Sequence, residues 1–250
     1  MKIYAAADLH AKPQRLLRLK KNIFRHNPDL VILAGDITHF FNPQKTIDFL
    51  DQMDVPILAV RGNTDFKRVE RRIEKTRNIT LLGTSPLKIK DLSFSGTGGT
   101  LVLPFASRIC FGENRVLEQL AQGLCPPCPG HVVVVHPPPL GILDRVGNKI
   151  HAGSRNLKRF IDAVKPGVLI CGHIHEQPGI RIWNHTLVVN AAMGARGDGA
   201  VLDRGKNGKI QVKLLNPGRT NGKPILFNPR APHMGKDRYP PPIPRLESRQ

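Results

Sequence analysis

Three times within the first 65 residues an apolar run ends on a short polar turn and gives way to a helical pattern. Residues 3–7 end on Asp8-Leu9-His10. Residues 14–26 then place Leu16, Leu17, Leu19, Ile23 and Phe24 on one helical side, with Arg15, Arg18, Lys20, Lys21 and Arg25 elsewhere. Residues 29–34 end on Gly35-Asp36, before a helix over 43–53 entered through Pro43. Residues 56–60 end on Arg61-Gly62-Asn63-Thr64-Asp65, before a highly charged helix from about 66 to 77. Strands that alternate with helices in this way must run parallel, because each helix carries the chain back to the start of the next strand. Asp8, His10, Asp36, Asn63 and Asp65 therefore gather at the carboxyl edge of one sheet, the edge at which open α/β sheets bind ligands.

Beyond residue 79 the elements shorten. Residues 79–82, 87–89 and 92–95 read as strands, and Gly96-Thr97-Gly98-Gly99 reads as a tight turn, since it lacks the Lys-Ser/Thr of a phosphate loop. Residues 104–111 read as loop and 113–122 as a helix with Val116, Leu117 and Leu120 inward. Residues 125–130 break the chain before 131–135, a β-branched buried strand that delivers His136. Pro137-Pro138-Pro139 cannot continue a central strand, and Ser154 reads as the cap of a helix reaching about Val164. A further buried strand over 167–171 leads into Gly172-His173-Ile174-His175, and residues 179–182, 186–190, 199–203 and 210–215 read as an antiparallel meander.

With 250 residues and 40% apolar composition the chain can bury one substantial core, assigned to residues 1–215. Residues 216–250 carry eight prolines and seven Lys or Arg against two acids, the profile of an extended or disordered basic tail. The net charge of +19 is spread well beyond that tail, which makes a nucleic-acid partner conceivable through the basic surface, although aromatics at 5% supply no stacking platform. No apolar run approaches the roughly 20 residues of a membrane span, so no membrane partner is implied and a cytoplasmic location is expected. Cys125 and Cys128 have zinc-ribbon or redox spacing but lack a second pair, and with Cys110 and Cys171 they read as free thiols.

Two imidazoles two residues apart, where a buried strand runs out, can face one polar pocket. His173 and His175 are therefore candidate metal ligands. Collected in order, the residues at the strand ends are Asp8-X-His10, Gly35-Asp36, Gly62-Asn63-X-Asp65, His136 and Gly172-His173-X-His175. This ordered set resembles that of the calcineurin-like metallophosphoesterases over roughly residues 1–203. The run from His136 through Asp144, Arg145 and Asn148 to His151 and Ser154 is similar to the small prokaryotic branch of that family.

The resemblance implies a four-layer α/β/β/α sandwich of two mixed sheets flanked by helices. It also implies two divalent metal ions, manganese, iron or zinc, which suit a mixed oxygen and imidazole donor set. Asp8, His10 and His175 would hold one ion, Asn63, His136 and His173 the other, and Asp36 would bridge them. The activity implied is hydrolysis of a small phosphoester, a phosphodiester before a monoester, by a metal-bridging hydroxide. Asp36, Asn63 and His136 would act at the reacting centre, with Asp65 in support. The chain departs from the family at Thr64, where most members carry a histidine that contacts the phosphate. A threonine hydroxyl is a poor proton donor near neutral pH, so the general-acid contribution should be weakened or moved. Thr64, His39, His151 and Arg145 are the substrate-side candidates. A manganese-dependent nuclease and a non-catalytic metal-binding scaffold stand as alternatives, although the scaffold reading requires lost ligands and none is lost.

Overall fold

The computed structural model describes residues 1–39, 43–99, 101–103, 106–109, 112–124, 126–147, 150–216 and 223–230. In chain order the elements are β1 (Lys2–Ala6), α1 (Pro13–His26), β2 (Leu30–Ala34), α2 (Gln44–Asp51), β3 (Ile57–Val60), α3 (Lys67–Ile73), β4 (Ile79–Leu81), β5 (Leu87–Ile89) and β6 (Leu92–Thr97). There follow β7 (Leu101–Leu103), β8 (Ala106–Arg108), α4 (Glu113–Gln122), β9 (Cys128–Val135), β10 (Arg145–Val146), β11 (Ile150–His151), α5 (Arg155–Val164) and β12 (Pro166–Cys171). The last elements are β13 (Gly179–Trp183), β14 (Thr186–Asn190), β15 (Ala200–Arg204), β16 (Ile210–Leu214) and β17 (Ile225–Phe227).

Two mixed sheets result, with strand orders β17-β16-β15-β1-β2-β3-β4 and β13-β14-β12-β9-β6-β5. β1 to β4 pair in parallel, as the three successive βα units require. β2 and β3 are apolar and buried at every position because both of their faces are covered. Along β9, Val132 and Val134 face the other sheet and share one cluster with its Ile32 and Val60 and with Phe94 and Ile170 of their own sheet, while Val133 and Val135 pack with Leu157 and Ile161 of α5. Leu33, Ile57 and Tyr4 cover the outer face of the first sheet together with Leu16, Leu19, Ile47 and Val69 of its helices. The layers are therefore helix, sheet, sheet, helix, as the resemblance implies.

Several local expectations are corrected. Leu17 and Phe24 are 62% and 90% exposed; the buried stripe of α1 runs through Leu16 and Leu19, and Leu17 lies one residue, about 100°, around the helix from it. The charged helix stops at Ile73 rather than Arg77. The Thr76 hydroxyl donates to the Ile73 carbonyl at 2.6 Å, and the amides of Arg77 and Asn78 turn to Asp51 Oδ1, both at 2.9 Å. β9 begins at Cys128, inside the expected break, because a register shift opposite Pro166 and Val168 accommodates Pro129, which has no N–H to donate. Ala106–Arg108, expected as loop, pairs with Leu101–Leu103 in a separate ribbon. The expected meander is divided: β13 and β14 join the second sheet, whereas β15 and β16 join the first. Between them Ala191 and Met193 bond to both sides of Ala7, so the chain changes sheets at that point.

Within the tail, Ile225–Phe227 adds β17 to the edge of the first sheet, and residues 217–222 and 231–250 lie outside the described residues. Cys128 and Cys171 are buried, and Cys110 and Cys125 lie outside the described residues, as does Asn148. Among the described residues no helix is long and apolar enough to cross a membrane.

Candidate metal centre

At the carboxyl ends of β1, β2 and β12 the backbone leaves the ordinary extended and helical regions. Asp8, His10, Asp36 and His173 take positive φ values of 61°, 50°, 50° and 71°. Each such residue costs on the order of 1–3 kcal/mol, so the fold must impose the conformation. Cross-strand bonds do so. Asp8 N donates to Gly35 O at 3.0 Å, His10 N donates to Asp36 O at 2.8 Å, and His173 N donates to Asp8 Oδ2 at 2.9 Å. Each turn is thus tied to the next strand end, and the side chains are driven into one pocket.

The two carboxylates lie among the imidazoles. His175 Nε2 is 3.0 Å from Asp8 Oδ1 and 3.4 Å from His10 Nε2. Asp36 Oδ2 lies 3.6 Å from His10 Nε2 and 3.5 Å from His136 Nε2, so one oxygen stands midway between two groups of donors. His136 Nε2 is 3.2 Å from Asn63 Oδ1, and the His173 ring crosses the His136 ring edge-on at 5.1 Å between centroids. Asp8 and Asp36 are buried, while the His175 side chain is 40% exposed, so the pocket opens to solvent on that side.

Electrostatics follow from burial set against charge. Burial pulls the His136 imidazole down, but the Asp36 and Asp8 carboxylates outweigh it and hold the group up at about 9. Burial pushes both carboxyls up. The charge and hydrogen bond of His136 reverse this for Asp36, and the His175 hydrogen bond with the His136 charge reverse it for Asp8, so both lie below the usual carboxylate range. Burial, helped by the His136 charge, drives His173 down to about 4. His136 donates from Nδ1 to the Ala34 carbonyl at 2.7 Å, which fixes the tautomer and leaves Nε2 as the nitrogen facing the pocket.

Glycine is required beside each carboxylate. An ideal Cβ on Gly62 would stand 2.7 Å from Asp36 Cγ, and one on Gly172 would stand 2.7 Å from Asp8 Oδ2. The Gly-Asn and Gly-His pairs of the sequence are therefore steric necessities.

The remaining candidates are placed as follows. Asp65 is buried and accepts from the amides of Gly62, Ile37 and Thr38 at 3.0, 3.0 and 2.8 Å, and from the Thr38 hydroxyl at 2.8 Å. It clamps the Asp36 turn to the Asn63 turn. Burial is the largest influence on its carboxyl and pushes it up. Thr64 donates its amide to Asp36 Oδ1 at 2.8 Å and its hydroxyl to the Thr38 carbonyl at 2.9 Å, so the hydroxyl serves the loop. His39 is exposed, one residue beyond Thr38. Arg145 and His151 face each other across the β10–β11 ribbon, with Arg145 Nε 3.4 Å from His151 Nε2. Sequence reasoning missed Arg15, whose guanidinium donates to the Asp8 carbonyl, and the Ala34 carbonyl; no residue-type signal marks either.

The donor set fits divalent metal. Ligand atoms of Asp8, His10 and His175 lie within 4.8 Å of one another, as do those of Asp8, Asp36 and His136. Two buried carboxylates, four imidazoles and an amide oxygen form the mixed hard and borderline set that manganese, iron or zinc accepts.

Comparison with known proteins bears on this pocket. A family model described as calcineurin-like phosphoesterase matches residues 1–177. An uncharacterized protein of Methanocaldococcus jannaschii is 29% identical over 198 residues, covering 76% of this chain and 87% of that protein. A UPF0046 protein of Caenorhabditis elegans is 28% identical over 220 residues, covering 79% of this chain and 71% of that one. The solved structure of a dimetal phosphatase from Danio rerio superposes with a TM-score of 0.60 at 10% identity, covering 91% of this chain and 98% of that one, which is a likeness of fold.

Proposed function

The chain belongs to the calcineurin-like phosphoesterase family, and on that premise we propose that it is a two-metal phosphodiesterase of small phosphoesters. The observation that carries this reading is the single oxygen Asp36 Oδ2 standing 3.6 Å from His10 Nε2 and 3.5 Å from His136 Nε2. From that position between two donor groups Asp36 would hold both ions. Asp8, His10 and His175 would hold one ion, and Asn63, His136 and His173 the other.

When bound, such a pair supplies a water-derived nucleophile at neutral pH and polarises the phosphoryl oxygens. The chain's own residues do the rest. The Ala34 carbonyl keeps the His136 proton on Nδ1, so Nε2 remains a ligand. Thr64 N fixes the Asp36 carboxylate, which would otherwise rotate about its side-chain bonds, and the Asp65 clamp holds the turn that carries it. No imidazole stands at position 64 to protonate a leaving alkoxide, which favours diesters with good leaving groups over alkyl monoesters.

The test is hydrolysis of bis-p-nitrophenyl phosphate by manganese-, iron- and zinc-reconstituted protein. Turnover should vanish with chelator and in Asp36→Asn. Turnover that survives both would overturn the assignment. A second reading, a manganese-dependent nuclease, is favoured by the net charge of +19; cleavage of single-stranded or duplex nucleic acid exceeding that of the small diester would establish it instead.

A further inference from the structure

Between His136 and α5 the chain leaves both sheets to form the β10–β11 ribbon, two residues per strand, with Val146 39% and Ile150 43% exposed. So small and exposed a ribbon is not held by apolar packing. It is held by Asp144, whose side chain is fully buried. Asp144 Oδ2 accepts from the amides of Gly141 at 2.8 Å and Gly153 at 3.0 Å, and its Oδ1 accepts from His151 Nδ1 at 2.6 Å. The ribbon is also docked on the segment that carries His173 and His175. Arg145 N donates to Gln177 Oε1 at 3.0 Å, and the Asn190 side-chain amide donates to both the Leu143 and Ile174 carbonyls, at 3.4 and 3.0 Å.

A proton held on Nδ1 by a buried carboxylate leaves Nε2 of His151 as an acceptor. Arg145 Nε points at that acceptor from 3.4 Å, and among the described residues this is the only hydrogen bond of the guanidinium. Its two terminal amino groups are left for another anion. A planar fork of this kind pairs with two oxygens of a phosphate, and an arginine already oriented loses less freedom on binding than a loose one.

We propose that Asp144, acting through His151, positions Arg145 as the phosphate clamp of the site, its terminal amino groups taking two oxygens of the phosphoester. The proposal rests on the phosphoesterase reading and names the group that replaces direct contact from position 64. Asp144 is a positioning residue, and Arg145 is the residue that touches substrate.

Four variants and three readouts test it. For bis-p-nitrophenyl phosphate, Arg145→Ala should raise KM about tenfold with little change in kcat, as expected for loss of one charge-assisted contact. Arg145→Lys should not restore KM, because an ammonium lacks the fork. His151→Gln, which leaves both backbone bonds of Asp144 intact, should raise KM in the same direction although Arg145 is present. Independently of turnover, nitrogen-15 spectra of metal-free protein should show one His151 tautomer, protonated at Nδ1, that becomes mixed in Asp144→Asn. Inorganic phosphate should bind metal-free Arg145→Ala about tenfold more weakly than wild type. Unchanged KM and unchanged phosphate affinity in Arg145→Ala overturn the clamp while leaving metal-dependent turnover, and hence the phosphoesterase reading, standing. A wild-type protein that hydrolyses no phosphoester sinks that reading, and phosphate affinity alone then decides the clamp. A His151 tautomer indifferent to Asp144→Asn removes Asp144 from it.

Discussion

His136 Nδ1, at the end of β9 in one sheet, donates to the main-chain carbonyl of Ala34, at the end of β2 in the other, at 2.7 Å. The bond spans the two sheets at the point where the ligands meet. One side chain therefore serves as an inter-sheet tie through one nitrogen and as a candidate metal ligand through the other.

The first prediction is that His136→Ala harms folding as well as metal uptake. It empties a fully buried position and leaves the Ala34 carbonyl without its partner. The expected loss is about 2–4 kcal/mol in chemical denaturation of metal-free protein. Elemental analysis after reconstitution should find at most one ion per chain. A wild-type denaturation midpoint would show that the tie is not structural.

Gly172→Ala should be costly out of proportion to its size. The new methyl would stand 2.7 Å from Asp8 Oδ2 and closer still to Ala7 Cβ, both on buried groups that cannot retreat. About 1–3 kcal/mol of stability should be lost, with weaker metal binding through a displaced Asp8. Gly83→Ala is the control, since nothing lies within 4 Å of its Cβ. Equal effects in the two variants would refute the steric account.

Thr64→His should change substrate preference. An imidazole in the Asn63 turn can protonate a leaving alkoxide, so monoester turnover should rise relative to diester turnover, by up to roughly the 10²-fold low end of general-acid effects. The lost Thr64 hydroxyl bond to the Thr38 carbonyl should cost about 1 kcal/mol. An unchanged ratio in steady-state kinetics would place the origin of the preference elsewhere.

Acid should destabilise the metal-free protein through His131, in the middle of β9 and outside the metal centre. Burial pulls this imidazole from 6.5 down to about 4, and it bonds Ser95 Oγ at 2.7 Å. The unfolded chain therefore binds a proton that the folded chain refuses between these pH values. Stability is full above pH 6.5, falls as pH drops from 6.5 to 4 by up to about 3 kcal/mol, and levels off below. His131→Gln should flatten that segment of the pH–stability curve measured by denaturant titration. A curve of unaltered slope would contradict the assignment.

How much was legible follows from the physics of each feature. Strand ends are legible because a buried parallel strand is a continuous apolar run, and the polar residues of the short turn after it must lie at the carboxyl edge. Asp8, Asp36, Asn63, His136 and His173 were all located in this way. The outward turn of Leu17 and Phe24 was not, since adjacent leucines fit two helical stripes and only docking on the sheet chooses between them. The division of the late hairpins was equally hidden. Residues 179–190 and 200–214 both read as pairs of short strands, and Ala7 bonding to Ala191 and Met193 is what sends them to different sheets.

The sequence by itself determined which side chains reach the edge, because periodicity and chain direction are local properties. The tertiary structure decided which ring nitrogen His136 presents, which donors fill Asp65, and that Asp144 holds His151 against Arg145. Those relationships depend on backbone carbonyls and amides brought together from strands far apart in the chain. Every residue carries the same two groups, so nothing in residue type announces where they will meet.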